Sequence, residues 1–194
     1  YPTTLTISSG GSYTLQAGAQ LTVNGTLTNN GTFTLQDGAT FVQGTGSTSI
    51  AGTGTYNVEK ALTDNSSNWS TTSGRFWYMG VPMVSVARSS YGTPGTTTNR
   101  VWSYSEATKS YTELSDGNTL LSAGTGYVHR RSTDGTLTFT ATGANGLYGS
   151  DYSVSGLTKT AGYTSGVHLV SNPYMAYLDW NALTKTNIDS TFYI

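Results

Sequence analysis

The ten carboxylates of the chain are the residues whose type could support acid–base chemistry. A glycosidase needs two of them about 5–10 Å apart, one on each side of the scissile bond. Asp116 and Asp134 each precede a glycine, as in ordinary turns, and Asp179 is placed to cap a helical turn. Structural roles are therefore favoured, although the fold could bring two of the remaining carboxylates together. We predict no catalytic residues and no enzymatic activity.

The sequence shows no recognisable motif for binding a metal or a cofactor either. The chain has two histidines, His129 and His168, and no cysteine. Zinc sites are built from closely spaced His, Cys and carboxylate ligands, whereas these histidines stand alone in strand-like stretches. The glycines around Thr45 and Thr125 do not lead into a helix, as a phosphate-binding loop requires. We expect no metal and no cofactor, with both histidines hydrogen-bonded or half-exposed.

Aromatic residues form the pattern that best fits ligand binding. Trp69, Trp77, Tyr78 and Trp102 could build a flat platform on which sugar rings stack, and the hydroxyl-rich, weakly charged chain suits a carbohydrate. Tryptophans that fill the core of a β-sheet protein give the same pattern, and Trp77 and Trp102 stand within predicted strands. Trp69 differs, because it lies in a polar stretch.

Charge and composition exclude several classes of protein. The net charge is −1, charged residues make up 10% of the chain and aromatic residues 12%. Nucleic-acid binding needs a basic surface that holds phosphates, which this chain lacks. No apolar run approaches the roughly 20 residues of a membrane helix. We expect a folded chain with no nucleic-acid partner and no membrane span, and the absence of cysteine favours export.

An internal repeat organises the first 59 residues. Residues 11–20 read GSYTLQAGAQ and residues 31–40 read GTFTLQDGAT, so six identities recur 20 positions later. A period near 20 with short strands predicts a β-solenoid or β-roll, whose stacked rungs bring Tyr13, Phe33 and Tyr56 into one aromatic row.

The corners of such rungs are expected at Gly18 and Gly38, because glycine adopts positive φ without strain. A meander of β-hairpins is the alternative, since the Asn-Gly pairs of this region are also hairpin turns.

Residues 60–194 are predicted to form a second all-β region, a β-sandwich or open barrel. A polar stretch at 63–73 predicts a loop, and 179–183 predicts one helical turn. We expect domains at 1–59 and 60–194 that form one body, cleaved first by proteases at 63–73. The predicted strands are 75–79, 101–104, 126–130, 135–140, 151–154 and 166–170.

Three stretches of the second region read GRFWYMGVPM at 74–83, LSAGTGYVHR at 121–130 and HLVSNPYMAYLDWNAL at 168–183. Together with the TLTNNGTFTL style of the preceding repeats, they resemble a module of large surface and secreted proteins of the Bacteroidetes. These proteins are cargo of the type IX secretion system. The resemblance implies a fragment of a longer exported protein, truncated in its last strand. The implied partners are other parts of the parent protein and the export machinery.

The Asn-Pro-Tyr element within the last stretch has local consequences of its own. Pro173 cannot donate to a sheet, so a strand must end before it. Asn172 is expected to fix the turn by bonding the local backbone. Tyr174, Tyr177 and Trp180 are expected to fold back over the edge of the sheet.

These observations lead to two hypotheses about function. The favoured one is a non-catalytic structural or adhesive module of a large secreted or cell-surface bacterial protein, with a surface glycan or protein as partner. The other is a carbohydrate-binding module of an exported glycan-degrading enzyme. Glycan-array binding that is lost in Trp69→Ala would favour the second.

O-glycosylation is predicted at Ser190. Asp189-Ser190-Thr191 resembles the short acceptor of the Bacteroidetes, and the polar stretch before it favours the exposure that a glycan requires. An unmodified turn is the alternative, because three-residue motifs arise by chance in so Ser/Thr-rich a chain. Protein from the native host should carry added glycan mass on the Ser190 peptide in mass spectrometry. A serine that is always bare would refute the prediction.

Overall fold

A computed structural model of the chain describes residues 2–44, 49–63, 75–94, 99–131, 134–163 and 166–189. Within these residues the protein is all-β, as predicted, and its helical content is limited to short 3-10 helices at Arg88–Tyr91, Gly143–Asn145 and Trp180–Ala182. None of the sheets formed by these residues closes into a barrel. Trp69 and Ser190 lie outside the described residues, as does most of the predicted loop at 63–73.

The first eight strands pair in parallel ladders, ordered β1-β4-β7, β2-β5-β8 and β3-β6. Thr and apolar residues alternate along them, which suits a pleated, half-buried surface. Hairpins produce antiparallel pairs, so the ladders are not those of a hairpin meander. The strands are β1 (Thr4–Ile7), β2 (Ser12–Leu15), β3 (Gln20–Val23), β4 (Thr26–Asn29), β5 (Thr32–Leu35), β6 (Thr40–Gln43), β7 (Ser49–Ala51) and β8 (Thr55–Leu62).

The predicted aromatic row is confirmed. Tyr13 lies opposite Phe33, and Phe33 lies opposite Tyr56, in the ladder β2-β5-β8. The ring centroids of Tyr13 and Phe33 are 5.7 Å apart, and those of Phe33 and Tyr56 are 6.4 Å apart, with edge-to-face geometry in both pairs. The predicted corners are also confirmed, because Gly18 and Gly38 have φ of 75° and 79°.

The remaining strands form antiparallel pairs in two further sheets, β12-β11-β14-β9 and β10-β13, while β15 joins β8. Four of the predicted strands are confirmed as β9, β11, β14 and β15, with ends that differ by at most two residues. The strands are β9 (Arg75–Met79), β10 (Ser85–Ala87), β11 (Asn99–Ser105), β12 (Ser110–Glu113), β13 (Leu120–Ser122), β14 (Tyr127–Arg131) and β15 (Gly135–Thr142).

The predicted strands at 151–154 and 166–170 are wrong. Residues 151–154 contact the rest of the protein through a side chain, because the Tyr152 hydroxyl donates to the Ala123 carbonyl at 2.6 Å. In the second, Val170 makes an isolated bridge to Thr125. Both segments therefore run irregularly across the surface instead of extending a sheet.

Strand β8 links the two predicted regions. It pairs in parallel with β5 on one side and antiparallel with β15 on the other, so the order β15-β8-β5-β2 is one four-stranded sheet. The predicted boundary between residues 59 and 60 falls inside β8. Alternate residues of β8 and β15, among them Tyr56, Val58 and Phe139, are buried in a shared core.

The C-terminal turns follow the sequence prediction closely. Asp179 caps the 3-10 helix Trp180–Ala182, since its carboxylate accepts from the Asn181 backbone N–H at 2.9 Å. Asn172 fixes its turn as expected, because its side-chain oxygen accepts from the Tyr174 N–H at 3.0 Å.

The aromatic row gives a test of the core. Phe33 is fully buried, whereas Tyr13 is 37% exposed. Phe33→Ala should therefore lower the free energy of unfolding by about 3–5 kcal/mol, and Tyr13→Ala by about 1 kcal/mol. Urea unfolding of both variants measures this difference. Equal losses of unfolding free energy in the two variants would mean that Phe33 does not lie inside the row with Tyr13 at its end.

Candidate functional site

The outer face of the sheet β12-β11-β14-β9 carries a row of aromatic side chains. Successive residues of a strand point to opposite faces, so every second residue of each strand shares this surface. Val128 of β14 lies opposite Tyr78 on one side and Trp102 on the other. The rings of this surface, here called the aromatic face, belong to Phe76, Tyr78, Trp102, Tyr104 and Tyr111.

The aromatic face is unusually exposed for a set of large rings. Phe76, Tyr78 and Tyr111 are 52%, 64% and 52% exposed. Phe76 packs against Trp102 with ring centroids 5.9 Å apart, and Tyr104 against Tyr111 at 5.1 Å. Contiguous exposed apolar surface on a soluble protein commonly marks an interaction site. The aromatic face is therefore the strongest candidate for a binding surface.

A charged pair covers part of Trp102. The Arg100 Nε donates to a Glu113 carboxylate oxygen at 3.0 Å, and a second guanidinium nitrogen contacts the other oxygen. These bonds lower the pKa of Glu113 and raise that of Arg100. The guanidinium lies 4.9 Å from the centre of the Trp102 ring, a cation–π arrangement. Arg100 therefore covers part of Trp102, and the rings exposed to a partner are those of Phe76, Tyr78 and Tyr111.

The structure brings together two of the four predicted platform residues. Tyr78 and Trp102 share the aromatic face, whereas Trp77 lies on the opposite face of β9, opposite His129, and packs partly buried against the core. Strand alternation accounts for this separation. Trp69 lies outside the described residues. Phe76 was missed, although its position two residues before Tyr78 would have identified it.

The buried carboxylate of Glu106 has a structural role. It accepts from the Thr160 backbone N–H at 3.0 Å, from the Thr160 hydroxyl at 2.7 Å and from the Thr158 hydroxyl at 3.3 Å. It also forms an ion pair with Lys109. The bond from Lys109, with those from Thr160, lowers the Glu106 pKa to about 2. The carboxylate is therefore ionised at neutral pH and ties residues 158–160 to the turn after β11.

Two basic side chains are buried beneath the sheet. Arg88 donates to the carbonyls of Leu114, Gly92 and Asn99 at 2.9, 2.7 and 2.8 Å, and burial lowers its pKa. His129 packs edge-on against the Tyr91 ring, with centroids 4.9 Å apart. Burial and the nearby arginines lower the His129 pKa to about 3, so its ring is neutral at physiological pH.

His168 is held near the surface by the backbone of Thr158. Its Nε2 lies 2.8 Å from the Thr158 carbonyl oxygen and 3.0 Å from the Thr158 nitrogen. His168 is thus hydrogen-bonded, as predicted, whereas His129 is fully buried and not half-exposed.

A groove of about 840 Å³ lies between β6 and the C-terminal turns. Segments 41–44, 147–151 and 173–177 form its walls, with Pro82 beside them. The Phe41 N–H donates to the Met175 carbonyl at 2.8 Å, and the Gln43 amide donates to the Tyr148 carbonyl. The three segments are therefore tied together around an open space.

The chain belongs to the family described as Domain of unknown function (DUF8693), whose model matches residues 1–194. No curated protein and no solved structure matches the chain. In the part of the chain that the structure describes, no helix has the length and apolar character to cross a membrane. Among the same residues, no group of three or more His, Cys, Asp or Glu side chains could hold a metal ion.

The bonds to Glu106 predict a pH-dependent stability. The pKa of Glu106 is about 2 in the folded chain, against 4.5 for an unperturbed glutamate. The unfolded chain therefore takes up the proton first as pH decreases. The stabilisation is complete above about pH 4.5 and is lost as pH falls towards 2. At pH 6, urea unfolding should therefore give a higher free energy of unfolding for the wild type than for Glu106→Gln. This difference should disappear as the pH is lowered. A gap that does not change with pH would contradict this role.

Proposed function

We propose that this member of the DUF8693 family is a non-catalytic structural or adhesive module of a large secreted or cell-surface bacterial protein. The aromatic face carries the proposal, because it presents exposed rings on a hydrogen-bonded sheet. The resemblance to Bacteroidetes cargo of the type IX secretion system supports the location. It also makes the rest of a parent protein and the export machinery the expected partners.

The parallel ladders of β1 to β8 support a short β-solenoid as the stalk of this module, with a sandwich-like head after it. A solenoid requires its last rung to be covered, because an open rung exposes apolar side chains and unpaired backbone. The antiparallel pairing of β15 with β8 supplies such a cover. A stalk and a head that share one sheet would hold the aromatic face at a fixed position relative to the repeats.

The composition of the aromatic face suits adhesion. Tyrosine offers a large, stiff contact area that loses little conformational entropy on binding, together with a hydroxyl for hydrogen bonds. Burial of apolar surface contributes about 25 cal/mol per Å², so covering the exposed rings of Phe76, Tyr78 and Tyr111 favours association. Arg100 and Glu113 satisfy each other, which leaves the rings as the main source of affinity.

The second candidate function is carbohydrate binding on behalf of an attached glycan-degrading enzyme. The exposure of the Tyr78 and Tyr111 rings favours it, because sugar rings stack on exposed aromatic faces and sugar hydroxyls bond to phenolic oxygens. Because Arg100 lies over the Trp102 ring, this candidate requires that sugars stack on Tyr78, Tyr111 and Phe76 instead of the tryptophan.

Removal of the exposed rings tests both candidates. Beads coated with the chain should adhere to glycan- or protein-coated surfaces of the native host, and the double variant Tyr78→Ser/Tyr111→Ser should lose most of that adhesion. Tyr13→Ala, at the far end of the ladders, is the matched control and should adhere like the wild type. A glycan array run in parallel identifies a carbohydrate partner. Undiminished adhesion by the double variant would refute the role of the aromatic face.

A further inference from the structure

We infer that the groove between β6 and the C-terminal turns is a second binding site, which takes a short uncharged oligosaccharide. This site, here called the tyrosine groove, is defined by Phe41, Tyr148, Asp151, Tyr174, Met175 and Tyr177. The inference does not depend on the aromatic face, because the residues that line the groove come from other segments of the chain.

Hydrogen bonds fix the wall of the groove that contains Tyr174. The Asn172 side chain accepts from the Tyr174 N–H at 3.0 Å and donates to the Ala176 carbonyl at 2.7 Å. The Tyr174 hydroxyl donates to the Ser150 carbonyl at 2.9 Å. The turn at 172–176 is therefore bonded both to itself and to the opposite wall. A site built in this way needs little ordering when a ligand enters.

Aromatic contacts support the opposite wall. The Tyr148 ring meets Tyr174 edge-on, with centroids 6.2 Å apart, and meets Tyr152 at 4.9 Å. Tyr152 is anchored in turn by its bond to the Ala123 carbonyl at 2.6 Å. The rings of the groove are thus held by a chain of contacts that reaches the β13–β14 turn.

The groove remains open although its walls are fixed. The groove opens to solvent, and its volume of about 840 Å³ falls within the range of ligand pockets. Tyr177 stands at its margin with 98% of its surface exposed, so the expectation that it folds back over the sheet is wrong. A large ring held in solvent beside a preformed groove is well placed to close over a ligand.

The lining identifies the class of ligand. Among the described residues that line the groove, Asp151 carries the only charge, so no basic group is available there for a phosphate, sulfate or uronate. Tyrosine rings offer flat surfaces to the C–H faces of a sugar, and a carboxylate accepts bonds from two of its hydroxyls. These features match an uncharged sugar chain better than an anionic one.

Calorimetric titration of the whole chain tests the site with neutral cello-, xylo-, manno- and chito-oligosaccharides, and with a polyuronate fragment as the anionic comparison. At least one neutral oligosaccharide should bind saturably. Tyr177→Ala should raise its Kd about tenfold, and Asp151→Asn should also weaken it. Tyr13→Ala, which belongs to neither the groove nor the aromatic face, is the control and should bind like the wild type, while Tyr78→Ala reports separately on the aromatic face. Because Tyr177 is almost fully exposed, its variant should unfold at the wild-type urea concentration.

Several outcomes would overturn the inference. These are no saturable binding of any neutral oligosaccharide by the wild type, wild-type affinity in both Tyr177→Ala and Asp151→Asn, or tighter binding of the polyuronate. If Tyr78→Ala lost sugar binding while Tyr177→Ala kept it, the sugar would be assigned to the aromatic face. That result would overturn the tyrosine groove and leave the proposed adhesive function intact.

Discussion

Strand β8 is paired along both of its edges, and this pairing joins the parallel repeats to the antiparallel sheets. Buried backbone N–H and C=O groups must find partners, and those of β8 find them in β5 on one edge and in β15 on the other. Tyr56 continues the aromatic row of the repeats, while the same strand packs with Phe139 of β15 in the shared core. Loss of β8 would therefore expose both the last parallel rung and the first antiparallel pair.

Both candidate sites follow from this junction. A Cβ on Gly146 would lie 2.3 Å from the Tyr56 ring, so the chain after β15 can cross β8 closely only because glycine stands there. The Gly146 carbonyl then accepts from the Val84 N–H at 2.8 Å, and the next residues carry Tyr148 into the tyrosine groove. On the other side, His129 of β14 packs on the Tyr91 ring, which in turn packs on Phe139 of β15. That packing turns the alternate residues of β9, β11 and β12 outwards as the aromatic face.

Local patterns in the sequence predicted the parts of the fold that local physics determines. The repeat predicted the row of Tyr13, Phe33 and Tyr56, because identical side chains at a fixed period must share a face, and β9 was predicted to the residue. The tyrosine groove was not predictable in this way, since its walls come from segments that only the tertiary fold brings together. Trp77 was grouped with Tyr78 because composition was weighed without strand alternation. The predicted strand at 166–170 is reduced to a short contact with residues 124–126, where Val170 bridges Thr125.

Because β8 pairs with both, the repeats and the antiparallel sheets should unfold as one cooperative unit. Native-state hydrogen exchange followed by NMR tests it most directly, because it reports an opening free energy for each amide. The slowest amides of β5, β8 and β15 should share one opening free energy, equal to that of global unfolding. Exchange of β15 at a clearly lower free energy than β5, with β8 following only one of them, would contradict it.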